Sequence, residues 1–411
     1  MSKKPIYIIG AGISGLIAAY ELEQKGYSPH IIERTPSVGG RVKSIKSGDY
    51  TLDLGFQVLL DAYPLVNKYL NKEALELTKL APGSLIYFEN NKYLIGDPTR
   101  QLNMLFPTLF AKVGSFGDKL KILKLNRVLK KKSIEDIFNS EETTTFEYLQ
   151  DFGFSNRMIE RFFRPFFSGI FLEAELRTSS RMFEFVYKMF GEGHATIPKK
   201  GIGEISNQLK TKLKNTNFQF NTAVEKVDGQ SIYLENGEII SHEGLIIATD
   251  PAPLIENLRN QRQRWKSCYC LYYSVDQTNI PAGTIALITA KDKYANNLYA
   301  YTDENTGKNI LSVTVVSDFE GTENELAEIV FEEVKNVCEI KEANFIESFR
   351  IRQALPDIDN LRNTAFPNET EVLPKVYLAG DYLLNGSLNA AMESGAIAAQ
   401  ALIASEQGVF E

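Results

Sequence analysis

The alternation of apolar and polar positions near the N-terminus predicts a strand, a tight turn and a helix. Residues 6–9 form a short apolar run rich in β-branched side chains, which is typical of a buried parallel strand. The sequence G-A-G-I-S-G at residues 10–15 then begins a helix that runs to about Lys25, where Gly26 is placed to end it. A second apolar run, residues 29–32, predicts another strand that ends at Glu33.

The spacing of the glycines in this unit indicates a turn that binds a dinucleotide. Gly10 allows the tight turn, Gly12 lets the backbone approach a pyrophosphate, and Gly15 lets the helix lie close to the strand. The phosphates would meet free amides and the positive end of the helix dipole, beside Ile13 and Ser14. The combination of strand, glycines and helix is more specific than a glycine motif alone.

An acidic residue and a second glycine pair complete the unit. Glu33, followed by Arg34, lies close to the distance of about 20 residues at which a carboxylate accepts hydrogen bonds from a ribose diol, which argues against a 2'-phosphate. Just beyond the second strand, Gly39 and Gly40 give close backbone access. Arg41 can pair with the pyrophosphate from the side opposite the helix.

A matching motif lies near the C-terminus. Residues 376–379 predict a buried strand that ends at Gly380 and Asp381, and G-S-L-N-A-A-M-E-S-G follows at residues 386–395, with an alanine-rich helix. Together with the earlier G-G-R sequence, this pattern resembles the flavin-dependent amine oxidase superfamily. That superfamily also holds protoporphyrinogen oxidases, phytoene desaturases and GDP dissociation inhibitors. The resemblance implies FAD, and the cysteines lie outside the flavin motifs, so we expect the FAD to be non-covalent.

The resemblance also implies roles for residues of the C-terminal motif. Asp381, after Gly380, would bind the ribityl chain of the flavin. The helix that begins near Leu388 would point its amides, near Asn389 and Ala390, at the pyrimidine end of the isoalloxazine and stabilise negative charge there. Relatives carry a glycine where Ala390 stands, so the backbone approach is expected to differ.

Two further stretches are similar to family segments that approach the cofactor. Gly55, Phe56 and Gln57 match the stretch that passes close to the isoalloxazine, and Val224 has the position whose backbone faces the adenine. No catalytic residue can be assigned, because neither Lys266 nor Lys291 can be matched to the lysine that some amine oxidases place near the flavin.

The order of these motifs predicts an α/β protein. We expect a Rossmann-like FAD-binding domain of the GR2 type, assembled from residues 1–60, 198–260 and 350–411. An interleaved α+β substrate-binding domain would consist of residues 61–197 and 261–349. Within it, two dense aromatic clusters, residues 162–171 and 269–273, offer material for an apolar cleft or for ordinary core.

Composition and charge exclude several classes of function and of ligand. The chain has 411 residues, 44% hydrophobic and 24% charged, as in globular proteins, and its net charge of -7 argues against nucleic acid as a partner. The three cysteines and three histidines have neither disulfide nor metal-site spacing, so no metal is expected. Glycines interrupt the N-terminal apolar run, so it is not interpreted as a signal peptide, and a cytoplasmic location is expected.

These observations lead to a hypothesis with open alternatives. We expect an FAD-dependent oxidoreductase that oxidises or desaturates an apolar small molecule by hydride transfer to flavin N5. The alternatives are an amine oxidase, a redox-neutral flavin isomerase, and a non-catalytic binder of prenylated proteins of the GDP dissociation inhibitor type. The oligomeric state is left open. The sequence shows no second dinucleotide fingerprint, so the electron acceptor would be oxygen, a quinone or a protein.

One segment is strongly basic, although the chain as a whole has a net negative charge. Residues 98–132 contain nine Lys or Arg but Asp118 as the one acid, with apolar residues between them. A cationic amphipathic stretch of this kind can lie at an anionic membrane surface, so peripheral membrane contact is one hypothesis. The alternative is a solvated helix whose apolar side packs on the substrate domain.

Overall fold

A six-stranded sheet lies at the centre of the nucleotide half. The computed structural model describes residues 5–89, 91–97, 100–101, 104–290 and 292–408. The strands of this sheet are β1 (Ile6–Ile9), β2 (His30–Ile32), β10 (Asn217–Gln219), β14 (Gly244–Ile247), β20 (Glu371–Leu373) and β21 (Val376–Leu378). Their order is β10-β2-β1-β14-β21-β20, and all neighbours are parallel except β20 and β21. The sheet thus combines strands from distant parts of the chain.

Three helices belong to the nucleotide half. They are α1 (Ile13–Gln24), α10 (Glu204–Lys212) and α12 (Leu388–Gln407). Ile8 and Leu16 are fully buried between α1 and the sheet. Helices α1 and α12 cross so closely that a Cβ on Gly395 would lie 2.3 Å from the carbonyl oxygen of Ser14. The N-terminal and C-terminal motifs are therefore packed directly against each other.

Three smaller sheets accompany the six-stranded sheet. One is the hairpin of β3 (Ser44–Ser47) and β4 (Tyr50–Asp53). The second contains β5 (Leu59–Leu60), β6 (Leu77–Lys79) and β9 (Ala195–Pro198). The third contains β11 (Val224–Val227), β12 (Ser231–Leu234) and β13 (Ile239–Ser241). The Asn236-Gly237 sequence predicts a hairpin turn, and the structure has this turn between β12 and β13, where Gly237 has a φ of 88°.

The apolar and β-branched residues of segment 218–227 predict one continuous strand, but this prediction is wrong. The chain instead forms β10, parallel to β2, and β11, antiparallel to β12. Between them Asn221 has a φ of 53°, and the amide of Thr222 donates to the carbonyl of Glu33 at 3.0 Å. This turn takes the chain out of the large sheet, because a left-handed residue cannot continue an extended strand.

A seven-stranded mixed sheet forms most of the other half. Its strands are β7 (Gly83–Phe88), β8 (Asn91–Gly96), β15 (Trp265–Val275), β16 (Ile285–Ile288), β17 (Ala295–Thr302), β18 (Asn309–Val315) and β19 (Ala343–Pro356). Their order is β19-β15-β18-β17-β16-β7-β8. Helix α11 (Glu323–Val334) packs on this sheet, and Leu326 and Val330 are fully buried there.

A group of helices completes this half. Their bounds are α2 (Pro64–Tyr69), α3 (Leu105–Phe110), α4 (Phe116–Lys131), α5 (Ile134–Phe138), α6 (Thr145–Asp151), α7 (Asn156–Met158), α8 (Arg164–Phe171) and α9 (Ser180–Glu192). A π-helical turn, Ile159–Phe163, joins α7 to α8. None of the described helices combines the length and the apolar character needed to cross a membrane.

Two of the predicted domain boundaries fall inside strands. The boundary between residues 349 and 350 cuts β19, which stays paired with β15 as far as Pro356, opposite Trp265. The boundary between residues 197 and 198 cuts β9, which pairs with β6 through Pro198. Paired strands keep their hydrogen bonds along their length, so the ends of β9 and β19 suit these boundaries better than positions inside the strands. The division into two domains stays a prediction.

Candidate active site

The turn between β1 and α1 is built closely around its glycines. Gly10 has a φ of 100°, which favours glycine, and its amide donates to the carbonyl of Ile32 at 2.9 Å. A Cβ on Gly15 would lie 2.0 Å from the carbonyl oxygen of Gly10, so glycine is required there. A Cβ on Gly12, in contrast, would point into open space at the N-terminus of α1. The turn therefore leaves an accessible backbone face beside the helix dipole.

Glu33 holds this turn together through its carboxylate. Oε2 accepts from the amide of Ala11 at 2.8 Å, and Oε1 accepts from the amide of Thr35 at 2.9 Å. The side chain is buried, yet the residue lines a cavity together with Arg34. A carboxylate has further lone pairs, so Glu33 can accept additional hydrogen bonds from a ligand there.

The second glycine pair packs against the first. The amide of Gly39 donates to the carbonyl of Ala11 at 2.9 Å, and Gly39 forms an isolated parallel bridge with Gly12. Gly40 has a φ of 57°, and a Cβ on it would lie 3.3 Å from the Cα of Gly12. The two motifs thus form one continuous backbone surface.

Arg41 and Asp381 form an ion pair across the site. Nη1 of Arg41 donates to Oδ2 of Asp381 at 2.9 Å, and Nη2 donates to Oδ1. The same Nη1 donates to the carbonyl of Ala354 at 3.3 Å, and the guanidinium lies 5.1 Å from the ring centre of Trp265. Gln57 fixes the backbone here, because its Nε2 donates to the carbonyl of Arg41 at 2.7 Å. The bidentate pair joins both predicted motifs.

The start of α12 differs from the expectation. Ser387 caps the helix, and its hydroxyl accepts from the amide of Ala390 at 3.0 Å, so this amide is not free to stabilise charge on a ligand. The side chain of Asn389 points elsewhere, since its Oδ1 accepts from the amide of Leu65 at 3.1 Å. Ser387 and Leu388 lie on the cavity wall instead. A role of the backbone amides near Asn389 and Ala390 in stabilising charge stays a prediction, and the Ala390 amide already has a partner in Ser387.

Most of the predicted site residues line one large cavity. Its volume is about 1550 Å³, above the range of about 300–1000 Å³ that is usual for a pocket holding one small ligand. The predicted residues on its wall are Gly10, Gly12, Ile13, Ser14, Glu33, Arg34, Gly39, Gly40, Arg41, Gly55, Phe56, Gln57, Val224, Gly380, Asp381 and Leu388. Gly15, Asn389 and Ala390 are not on the wall. The cavity has room for a dinucleotide and a second molecule.

One part of the cavity wall is apolar. Apolar side chains from four regions meet there: Phe56, Phe166, Ile170, Phe171, Met182, Val186, Phe190, Ile285, Leu287 and Ile351. Of the first aromatic cluster, Phe163 and Phe167 are fully buried core instead, packed against Phe183. Residues 269–273 of the second cluster are also core and do not reach the wall. Ordinary core was therefore the right interpretation for much of the aromatic content.

Several cavity residues were not found by reasoning from the sequence. Trp265 and Tyr382 line the wall, and neither the indole Nε1 nor the phenol oxygen has a hydrogen-bond partner among the described residues. Burial raises the pKa of Tyr382, so its hydroxyl stays protonated and can donate. Neither residue belongs to a spaced motif. The one available signal was that Trp265 is the chain's single tryptophan.

Two further wall residues bear on the chemistry. Lys266 donates from Nζ to the hydroxyl of Thr178 at 2.9 Å, and burial lowers its pKa. Cys268 also lines the wall, and burial raises the pKa of its thiol to about 12. A thiol of that pKa stays protonated near neutral pH and is a poor nucleophile. Lys291 lies outside the described residues.

The geometry suits a flavin dinucleotide. The glycine turns present free backbone at the N-terminus of α1. Trp265 and Tyr382, whose buried donors have no partners among the described residues, line the same cavity. An acceptor at Glu33 and charges at Arg41 and Asp381 complete a surface for phosphate and hydroxyl groups. The donor set therefore fits the group that the sequence motifs imply.

Comparison with known proteins also indicates a flavin protein. The model of the family of flavin-containing amine oxidoreductases matches residues 13–403 of the chain. The chain belongs to this family. Membership confirms the expected class, a flavin-dependent oxidoreductase with an α/β fold, and it disfavours the non-catalytic alternative.

Individual relatives are more distant. Protoporphyrinogen oxidase 2 of Arabidopsis thaliana is 28% identical over 171 residues, which is 41% of this chain and 33% of the relative. An L-amino-acid oxidase of Gloydius halys is 28% identical over 156 residues, which is 36% of this chain and 31% of the relative. The matches thus span about a third of the length of these relatives. The structure of a putative protoporphyrinogen oxidase from Exiguobacterium sp. superposes with a TM-score of 0.71 at 18% identity, covering 99% of this chain and 100% of that one.

Proposed function

We propose that this protein binds FAD non-covalently and removes hydrogen from an apolar small molecule, as an oxidase or a desaturase. The observation that carries the proposal is a single cavity with two chemically different ends. One end is lined by both dinucleotide motifs, and the other by apolar side chains such as Phe166 and Leu287. When bound, FAD supplies an acceptor for a hydride at the flavin N5.

Named residues of the first end would hold the cofactor. The backbone at Gly12 and Gly40 would accept the pyrophosphate, with Arg41 as its charge partner. Glu33 would accept hydrogen bonds from the ribose diol, and Asp381 from the ribityl hydroxyls. Because the cavity thiol of Cys268 stays protonated, and no histidine lines the described cavity wall, non-covalent binding is favoured.

The second end supports a mostly hydrocarbon substrate with one hydrogen-bonding group. Asn297 is 5% exposed and lines this end of the cavity. Its Nδ2 donates to the hydroxyl of Thr314 at 3.2 Å, while its Oδ1 has no partner among the described residues. A buried acceptor without a partner costs free energy, so a substrate hydroxyl or N–H group that reached this oxygen, which lies beside Gly169, would be selected. The surrounding aromatic and aliphatic side chains exclude water from the reacting bond.

An amine is the second candidate substrate, because acids also line the cavity. Glu142, Glu147, Glu173 and Asp357 lie on its wall and could attract a cationic group. Lys266 opposes this reading, since it lies on the same wall and its Nζ is 3.8 Å from Asp357. The redox-neutral isomerase remains an alternative. The cytoplasmic location and the electron acceptor stay predictions.

Anaerobic reduction of the flavin tests the proposal. The purified oxidised protein is mixed without oxygen with carotenoid precursors, porphyrinogens, unsaturated fatty acids and amines, and the absorbance of the flavin is followed. We expect bleaching with an apolar compound, and release of intact FAD on denaturation, as non-covalent binding requires. Bleaching by amines alone would refute the apolar substrate. A colourless protein that does not take up added FAD would refute the flavin assignment itself.

A further inference from the structure

The exposed apolar side chains of the molecule are concentrated on two neighbouring helices. Of the twelve large apolar side chains that are exposed in the described residues, eight lie on α3 and α4 or their ends: Leu105, Phe106, Leu109, Phe110, Phe116, Leu120, Leu123 and Val128. Phe110 is 77% exposed and Phe116 is 66% exposed. We call this set the α3–α4 surface. None of its residues lines the cavity.

The two helices present this surface side by side. On α4, Phe116, Leu120 and Leu123 share one helix face, since they are spaced by four and three residues. Leu125 and Leu129 are buried on the opposite face. Lys119 joins α4 to the end of α3, because its Nζ donates to the carbonyl of Leu109 and, at 3.3 Å, to that of Ala111.

The exposed charges within residues 105–131 are all positive, and the nearest exposed acids in sequence are Glu135 and Asp136, which follow α4. The exposed cations here are Lys112, Lys124, Arg127, Lys130 and Lys131. The one acid of the segment, Asp118, is 0% exposed, and its carboxylate accepts from Ser115 and Ser155. Residues 98, 99, 102 and 103 of the predicted basic segment lie outside the described residues. The α3–α4 surface is therefore positively charged, although the whole chain has a net charge of -7.

This combination of charge and apolar area selects one kind of partner. We propose that the α3–α4 surface docks on the anionic face of a lipid bilayer, with the rings of Phe106, Phe110 and Phe116 at the acyl boundary. A second copy of the chain would bring like charges together, and a nucleic acid would leave the aliphatic side chains uncovered. An anionic bilayer matches both the cations and the apolar side chains.

The contact would also lie close to the cavity. Lys112 lies between α3 and α4, and its carbonyl accepts from Arg161 at 2.9 Å and from Arg157 at 2.8 Å. Arg161 lies in the π-helical turn that leads directly into α8, and Phe166 and Ile170 of α8 line the apolar end of the cavity. Docking would thus hold one wall of the cavity near the bilayer.

Co-sedimentation with lipid vesicles tests the proposal on the flavin-loaded protein. We expect sedimentation with vesicles of equimolar phosphatidylcholine and phosphatidylglycerol, weak sedimentation with phosphatidylcholine alone, and release by high salt. The double variant Phe106→Ser and Phe110→Ser should lower partitioning by about ten-fold or more, since two rings leave an apolar environment. The triple variant Lys124→Glu, Lys130→Glu and Lys131→Glu should abolish the preference for anionic lipid.

Matched controls separate this result from general effects of surface change. Phe366 is 74% exposed and Ile239 is 61% exposed elsewhere on the molecule, so Phe366→Ser with Ile239→Ser should leave vesicle binding unchanged. An unchanged flavin spectrum shows that each variant is folded. Absence of sedimentation with anionic vesicles would overturn the proposal. So would a concentration-dependent dimer, seen by light scattering, that the Phe106 and Phe110 variant abolishes without any effect on vesicle binding.

Discussion

The clearest quantitative prediction concerns Asp53, at the end of β4. Its Oδ1 accepts from the hydroxyl of Ser44 at 2.6 Å and from the amide of Ile202 at 2.9 Å. Burial nevertheless raises the pKa of this carboxyl from 3.8 to about 6, because it disfavours the charged form more than these bonds favour it. The rise from 3.8 to about 6 corresponds to an upper limit of about 3 kcal/mol.

The sign follows from linkage between protonation and folding. A folded-state pKa above the unfolded one gives a stabilising contribution that is fully present below pH 3.8 and is lost as the pH rises through about 6. Asp53→Asn keeps a neutral group whose oxygen can accept both hydrogen bonds. We therefore expect the variant to be more stable than the wild type above about pH 6, by up to about 3 kcal/mol, and equal to it near about pH 4.

Urea unfolding at a series of pH values checks this prediction. The fluorescence of Trp265, the chain's single tryptophan, and the circular dichroism follow the transition of each protein. Other titrating groups are shared and cancel in the difference between wild type and variant. Asp49 is exposed in the turn of the same hairpin, so Asp49→Asn is the matched control for the loss of one carboxylate. Parallel profiles for the wild type and Asp53→Asn would refute the reasoning.

Three further predictions address the cofactor, the packing and the substrate. Glu33→Ala should weaken FAD binding by about 1 to 3 kcal/mol, measured by titration of the apoprotein, because it also leaves the amides of Ala11 and Thr35 without their acceptor. Wild-type affinity would contradict this role. Gly395→Ala should lower the free energy of unfolding by more than about 2 kcal/mol, because its Cβ would lie 2.3 Å from a carbonyl oxygen of α1. The control is Gly191→Ala, since a Cβ at Gly191 meets nothing within 4 Å. Asn297→Leu should raise the KM for a substrate with a hydroxyl or N–H group by about ten-fold or more, and leave a pure hydrocarbon analogue unaffected; equal effects on both would exclude Asn297 as a selecting residue.

Much of the nucleotide half could be predicted from the sequence because local rules apply there. The requirements for a left-handed φ at Gly10 and for close packing at Gly15 can be read from glycine spacing alone. The same holds for the order of strand, turn and helix. Membership of the family confirms the class of protein that these motifs indicated.

The remaining features depend on contacts between distant segments. Asn297 and Trp265 reach the cavity because β17 and β15 lie in the same mixed sheet, and nothing in their neighbouring sequence shows which face each side chain takes. Ala390 is a different case, because the contact that was not foreseen there is local. Its amide is taken by the cap at Ser387, a local bond that the family resemblance alone did not reveal.

The ion pair between Arg41 and Asp381 has a consequence for biosynthesis. The two residues are 340 positions apart, so the pair cannot form on the ribosome until almost the whole chain has emerged. The N-terminal turn is synthesised early, but Arg41 has no ion-pair partner at Asp381 until the last strand and helix have been made. We therefore expect a complete cofactor site only after α12 has been made, and a chain arrested before α12 would lack it.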